Sequence, residues 1–139
     1  MEQAQKKFMF ACGQTTTSVN FRQIELYREL IREELVKELF PALDTWLNSP
    51  LSIENTEHLL KEIGDVLVVL HGLAYSLGTD PLAIKDQVDA SNLSKIPSDH
   101  SQVLKREDGK ILKPVSYREA DMRDLAVSVF KKLGGMVYE

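Results

Sequence analysis

Cysteine is almost missing from this chain: Cys12 stands alone among 139 residues. No disulfide can close within the chain, and a cysteine-based zinc site is excluded. A reduced, cytoplasmic setting follows as the expectation. Long hydrophobic runs are lacking too. The longest strongly apolar stretch, residues 66–70, is far too short to span a bilayer. Near the N-terminus, Lys6 and Lys7 precede only the brief run Phe8-Met9-Phe10-Ala11-Cys12, which is interrupted too soon for a secretory signal. A soluble protein with no membrane partner is expected. Positive charge is not in excess: 17 Lys and Arg face 21 Asp and Glu, for a net charge of −4. No global field therefore draws in nucleic acid or an anionic membrane. An acidic chain can still take a polyanionic substrate when a divalent cation mediates. A glycine-rich loop that would cradle phosphate is also absent.

What is present is an ordinary globular balance, 43% hydrophobic and 27% charged, in a length that suits one domain over residues 1–139. Residues 2–12 read as a short helix stopped by Gly13. Ser18 or Asn20 caps a second helix, in which Ile24, Tyr27, Leu30, Ile31, Leu35 and Leu39 recur at helical spacing. Pro41 should end or kink that helix, and Leu43, Trp46 and Leu47 leave residues 42–54 open. From about Thr56 to Leu77, the residues Leu59, Ile63, Val66, Leu67, Leu70, Leu73 and Ala74 form a wide apolar stripe, with Gly78 placed to terminate it. Asp80-Pro81 opens a fourth helix to about Ser91. Asp108-Gly109 between short apolar runs signals a hairpin turn, and Pro114 confines its second arm to an edge. Ser116 and Glu119 have capping-box spacing and should open a last helix to about Leu133. The expected architecture is all-α: a helical bundle of about five helices with a short β-hairpin or loop insertion near residues 102–114.

Acidic residues carry the chemical signal. Glu34 and Glu38 lie four apart on the second helix, with Glu33 adjacent, and Glu62 and Asp65 lie three apart on the long helix. Each pair shares a helix face. Antiparallel packing would bring four carboxylates together, and Mg²⁺ favours such oxygen ligands. On composition alone, Glu33 and Glu34 among Arg28, Arg32 and Lys37 also fit a solvated, ion-paired face. Asp65 is harder to account for that way, because it sits between Ile63 and Val66-Leu67, where a charge needs a partner. A carboxylate-bridged di-iron centre would need histidines three residues after the glutamates. Those positions hold Lys37 and Asp65. His58, His71 and His100 show no ligand spacing with one another and read as structural or surface residues.

The ordered set of motifs resembles a known family. Glu34 to Glu38, followed by Glu62-Ile63-Gly64-Asp65-Val66-Leu67, is similar to the paired acidic helices of the MazG-like and phosphoribosyl-ATP pyrophosphohydrolase-like superfamily. Phe8-Met9 with Gly13-Gln14 resembles that family's N-terminal opening, and Leu70-His71-Gly72-Leu73-Ala74 the end of its long helix. Ser91-Asn92-Leu93-Ser94-Lys95 is similar to a phosphate-side motif, with Asn and Lys three apart. Asp108 to Pro114, with Tyr117, looks like the small branch that includes dUTP-hydrolysing members. The resemblance covers about residues 6–118. The sequence departs from the family's Glu-Glu-x-x-Glu by reading Glu33-Glu34-Leu35-Val36-Lys37-Glu38. Pairing Glu34 with Glu38 leaves Leu35 where a middle glutamate often sits. Starting from Glu33-Glu34 needs one extra residue, which a π-bulge absorbs.

The resemblance implies a nucleotide pyrophosphohydrolase that splits a nucleoside triphosphate, dUTP or another (d)NTP, into a monophosphate and pyrophosphate. It implies Mg²⁺, with Mn²⁺ as a substitute, held by Glu34, Glu38, Glu62 and Asp65, and Glu33 or Glu34 as general base. Asn92, Lys95, Lys110 and Lys113 become substrate contacts, with Gln14 and Tyr117 as base or sugar contacts. A homodimer or homotetramer is implied as well. The competing expectations are phosphoribosyl-ATP as substrate, or a catalytically silent helical interaction module.

Overall fold

The fold comes from a computed structural model that describes residues 2–97, 99 and 102–135. His100 lies outside the described residues. The chain divides into two compact units, one running to Asp80 and one starting at Pro81.

The first unit holds α1 (Glu2–Ala11), α2 (Phe21–Arg32), a π-helical segment (Glu33–Leu39), α3 (Phe40–Asn48) and α4 (Ile53–Ser76). From α2 through α3 the helix is continuous, so Pro41 neither ends it nor breaks it. The expected stop is corrected by where the proline falls. It sits in the first turn of α3, directly after the segment whose amides bond five residues back, as Phe40 does to Leu35. The regular four-residue ladder is already interrupted there, so a missing N–H costs little. The open stretch after residue 42 is helical to Asn48.

Long helix α4 begins earlier than its apolar stripe suggests. The Ser52 side chain accepts from the Asn55 amide and caps it. Its far end closes on Gly78 at φ +68°, with Gly78 N–H donating to Tyr75 O and Thr79 N–H to Ala74 O, the paired bonds of a Schellman stop. Gly13 closes α1 the same way, with Gln14 N–H donating to Met9 O.

The core of this unit gathers Met9, Tyr27, Val69 and Tyr75, with Leu30, Ile31 and Leu73 packed against them. Gln23 is buried without cost, because its amide group bonds Thr15 N–H, Thr15 O and Ser76 Oγ. Two tethers set the register of the helices. Gln23, near the start of α2, meets Ser76 at the end of α4. Trp46, near the end of α3, donates to Thr56 near the start of α4 at 3.1 Å. The long rod therefore runs antiparallel to α4, and the same register sets Glu38 opposite Glu62 and Glu34 opposite Asp65.

The second unit holds α5 (Pro81–Leu93) and α6 (Arg123–Lys132). Between them a loop folds back on itself through one β-bridge, Lys105 with Ile111, around Gly109 at φ +88°. Among the described residues no strand forms, so the expected insertion is a loop hairpin. The capping box at Ser116 does not open a helix. Its hydroxyl donates instead to Ser94 O at 3.0 Å, and α6 starts at Arg123. Ser91 and Ser94 complete this tie by bonding Arg118 O, while Ser94 Oγ also takes the Arg118 amide. The architecture is all-α. Among the described residues no helix is long and apolar enough to cross a membrane.

Candidate functional site

The acidic groups meet where the π segment faces α4. A π turn takes in more residues than an α turn, so Glu34 and Glu38 both come round to the side that packs on α4. Glu34, Glu62 and Asp65 place one donor atom each within 4.8 Å of one another. Glu38, His58 and Glu62 do the same. Glu62 is common to both groups, so the other three carboxylates of the two sequence pairs, Glu34, Glu38 and Asp65, lie around it. Glu33 is exposed and belongs to neither group.

Glu62 is the unusual member. It is only 3% exposed, and its Oε2 is buried with no hydrogen-bond partner. Its Oε1 lies 3.3 Å from His58 Nε2 and 3.3 Å from Lys61 Nζ. Lys61 also reaches Asp65 Oδ2 at 2.9 Å. An ammonium group thus offsets part of the charge of three converging carboxylates. The cluster strains the titration of its members. Partial burial holds the Glu34 carboxyl above its ordinary value, and the charges of Asp65, Glu62 and Glu33 push the same way. Hydrogen bonds to Asp65 and Glu62, together with their charge, raise Lys61 to about 12.

A divalent cation fits this donor set. Oxygen ligands from three carboxylates match a hard ion, and the buried Glu62 oxygen without a hydrogen-bond partner has the capacity to ligate one. His58 and Lys61 were not singled out among the candidate residues by the sequence. Their signal was there: His58 lies four residues before Glu62, and Lys61 four before Asp65, the spacings that share a helix face.

Other expected site residues fall elsewhere. Gln14 accepts a 2.6 Å hydrogen bond from the Tyr27 hydroxyl, which ties its side chain to the core of the first unit. In the second unit, Lys95 and Lys113 both lie over the Tyr117 ring, at 6.0 and 4.8 Å from its centre. Asn92 and Lys95 line an open cleft of about 770 Å³ together with Gln102, Lys105, Ile96, Val103 and Ile111. Lys110 sits at the exposed loop turn, where Asp108 holds its amide and Arg106 pairs with Asp108. That pairing keeps the Asp108 carboxyl below its ordinary range.

No protein-family model and no curated protein matches this chain.

Proposed function

We propose that this protein is a Mg²⁺-dependent nucleoside triphosphate pyrophosphohydrolase, releasing a nucleoside monophosphate and pyrophosphate from dUTP or another (d)NTP. The observation that carries the reading is Glu62: a buried carboxylate with an unpartnered oxygen, surrounded by Glu34, Asp65 and Glu38. A structural role would leave such a group either paired or replaced by something apolar. The order of motifs resembling MazG-like enzymes supports the same reading.

Glu34, Glu38, Glu62 and Asp65 hold the metal in this proposal. Bound there, Mg²⁺ would neutralise triphosphate charge and make a water easier to deprotonate. Glu34, whose carboxyl is biased toward holding a proton, and the exposed Glu33 beside it are the candidate general bases. Taken by itself, the second unit carries cations and amides of the kind a nucleotide would need. Lys95 and Lys113 offer charge for phosphate, Asn92 a directional hydrogen bond, and Tyr117 a ring face already used by two lysines. Lys110 and Gln14 remain secondary contacts, and Gln14 would have to release Tyr27 to serve.

The test is a panel of NTPs and dNTPs assayed for pyrophosphate, with and without Mg²⁺. Metal-dependent release from at least one nucleotide is expected. No pyrophosphate from any of them, at millimolar Mg²⁺ or Mn²⁺, would overturn the proposal.

A further inference from the structure

Glu62 faces two groups of partners, and they differ in chemistry. Toward Glu34 and Asp65 every donor is a carboxylate oxygen, whereas toward Glu38 the third donor is an imidazole nitrogen of His58. Carboxylates alone suit Mg²⁺, but an imidazole shifts preference toward borderline ions further along the first transition row.

We propose that Glu38, His58 and Glu62 form a second cation position, selective for a borderline divalent ion such as Co²⁺, Ni²⁺ or Zn²⁺. The proposal builds on the metal-binding reading of Glu62 and adds a ligand and a selectivity that reading lacks. Three observations meet here. The donor atoms of these residues lie within 4.8 Å of one another, a separation one ion can bridge after small side-chain adjustments. His58 Nε2 is 3.3 Å from Glu62 Oε1, so the imidazole already points at the shared carboxylate. Glu62 Oε2 is buried and has no partner, so the carboxylate holds unused ligating capacity beyond its contacts with His58 and Lys61. Access is open on the other side, because Glu38 and His58 are exposed. Lys61 Nζ, 3.3 Å from Glu62 Oε1, is the cation that an incoming ion must displace. Its side chain is 69% exposed and four carbons long, so it can turn out to solvent without disturbing the fold.

The selectivity follows from geometry and softness together. Mg²⁺ keeps most of its water and asks for near-octahedral oxygen, so a position with one nitrogen and two carboxylates gives it little advantage. Co²⁺, Ni²⁺ and Zn²⁺ bind imidazole well and accept lower coordination numbers. The two positions should therefore fill with different ions from a mixture.

Equilibrium dialysis of the full chain against Co²⁺, then against Co²⁺ with millimolar Mg²⁺, reads this directly. Expected for the wild type is one Co²⁺ per chain that survives Mg²⁺ competition. In His58→Ala that Mg²⁺-resistant Co²⁺ should weaken by about tenfold or more, while Mg²⁺ binding, followed by calorimetry, stays unchanged. His58 is exposed and alanine favours helix, so the variant should fold, and circular dichroism checks that it does. Retention of Mg²⁺-resistant Co²⁺ by His58→Ala overturns the proposal, as does its absence from the wild type. A wild type that binds Mg²⁺ but shows no His58-dependent Co²⁺ would sink only the second position. One that binds neither ion would remove the metal centre as a whole.

Discussion

At the scale of single residues, the cost of Glu62 decides what its removal does. A buried charged group with an unsatisfied oxygen costs about 1–3 kcal/mol or more in the metal-free chain. Glu62→Gln keeps the shape and removes the charge, so the metal-free melting temperature should hold or rise. Pyrophosphate release and Mg²⁺-induced stabilisation should both disappear, and Asp65→Asn should behave alike. Full turnover in either variant would end the assignment. Glu34 adds a pH signature. Its carboxyl is held above the ordinary 4.5, so the folded protein binds more protons than the unfolded chain between that value and the raised one. Stability contributed by this group is therefore lost as pH rises through that window. Metal-free Glu34→Gln should gain on the wild type as pH climbs from 4.5, and the difference should reverse at saturating Mg²⁺. A pH-independent difference in melting temperature would contradict it. Lys61 loses its contribution in the same direction but in a far higher window. Raised from 10.5 to about 12, its ion pairs are intact below 10.5 and fade only as pH passes through about 12. At neutral pH Lys61→Gln should tighten Mg²⁺ severalfold and lower metal-free stability, since the resident ammonium competes with the metal. Calorimetric titration compares the two. The four acids were legible in sequence because i, i+3 and i, i+4 spacing is a property of one helix. His58 has no ligand spacing to the other histidines; its partner is Glu62, four residues on along the same helix.

Among the elements, α4 shows how far a periodic pattern reaches. Its existence and its Gly78 stop were readable from residues 56–78 because caps and stripes are local, whereas its start at Ile53, set by the Ser52 cap, lies outside the stripe. Which side of the stripe is buried was not readable, because that depends on where the partner helix lies. Val66 and Ala74 are buried, whereas Ile63, Leu67 and Leu70 from the same stripe are exposed. Pro41 and Ser116 misled for a related reason. Each sends a correct local signal that a neighbour overrides, the π segment in one case and the Ser94 carbonyl in the other. Two glycines of α4 make a paired prediction. A Cβ on Gly72 would lie 2.0 Å from the Tyr27 ring, in the core. Gly72→Ala should destabilise by about 1–3 kcal/mol through overpacking. Gly64, one residue before Asp65, meets nothing within 4 Å. There Gly64→Ala should stabilise by about 0.5–1 kcal/mol, because alanine surrenders less backbone entropy in a helix. Chemical denaturation of both variants checks the pair, and equal effects would mean that α2 and α4 do not pack as described.

On the scale of the whole molecule, the exposed side of α4 calls for a cover. Leu60, Ile63, Leu67 and Leu70 are 62%, 42%, 53% and 46% exposed. Their spacing of three, four and three residues draws a straight seam along the helix, the pattern that two helices use to interlock. Val69, outside the stripe, turns inward to the core, with Leu73 packed against it. The outer face is carried by Leu60 and Val68 together with residues from the main stripe. Water is a poor long-term neighbour for four large aliphatic side chains in line. A second copy of the chain offers the same seam in return, and twofold pairing makes the surface complementary to itself. The protein should therefore be a homodimer or a homotetramer in solution. Multi-angle light scattering at micromolar concentration should give at least about twice the chain mass of 15.8 kDa. Leu67→Glu sits mid-seam at an exposed position, so it should leave the fold of one chain intact while bringing the mass down to 15.8 kDa. A wild type that already scatters at that mass would rule the pairing out. A Leu67→Glu variant that stays associated would move the interface to another face.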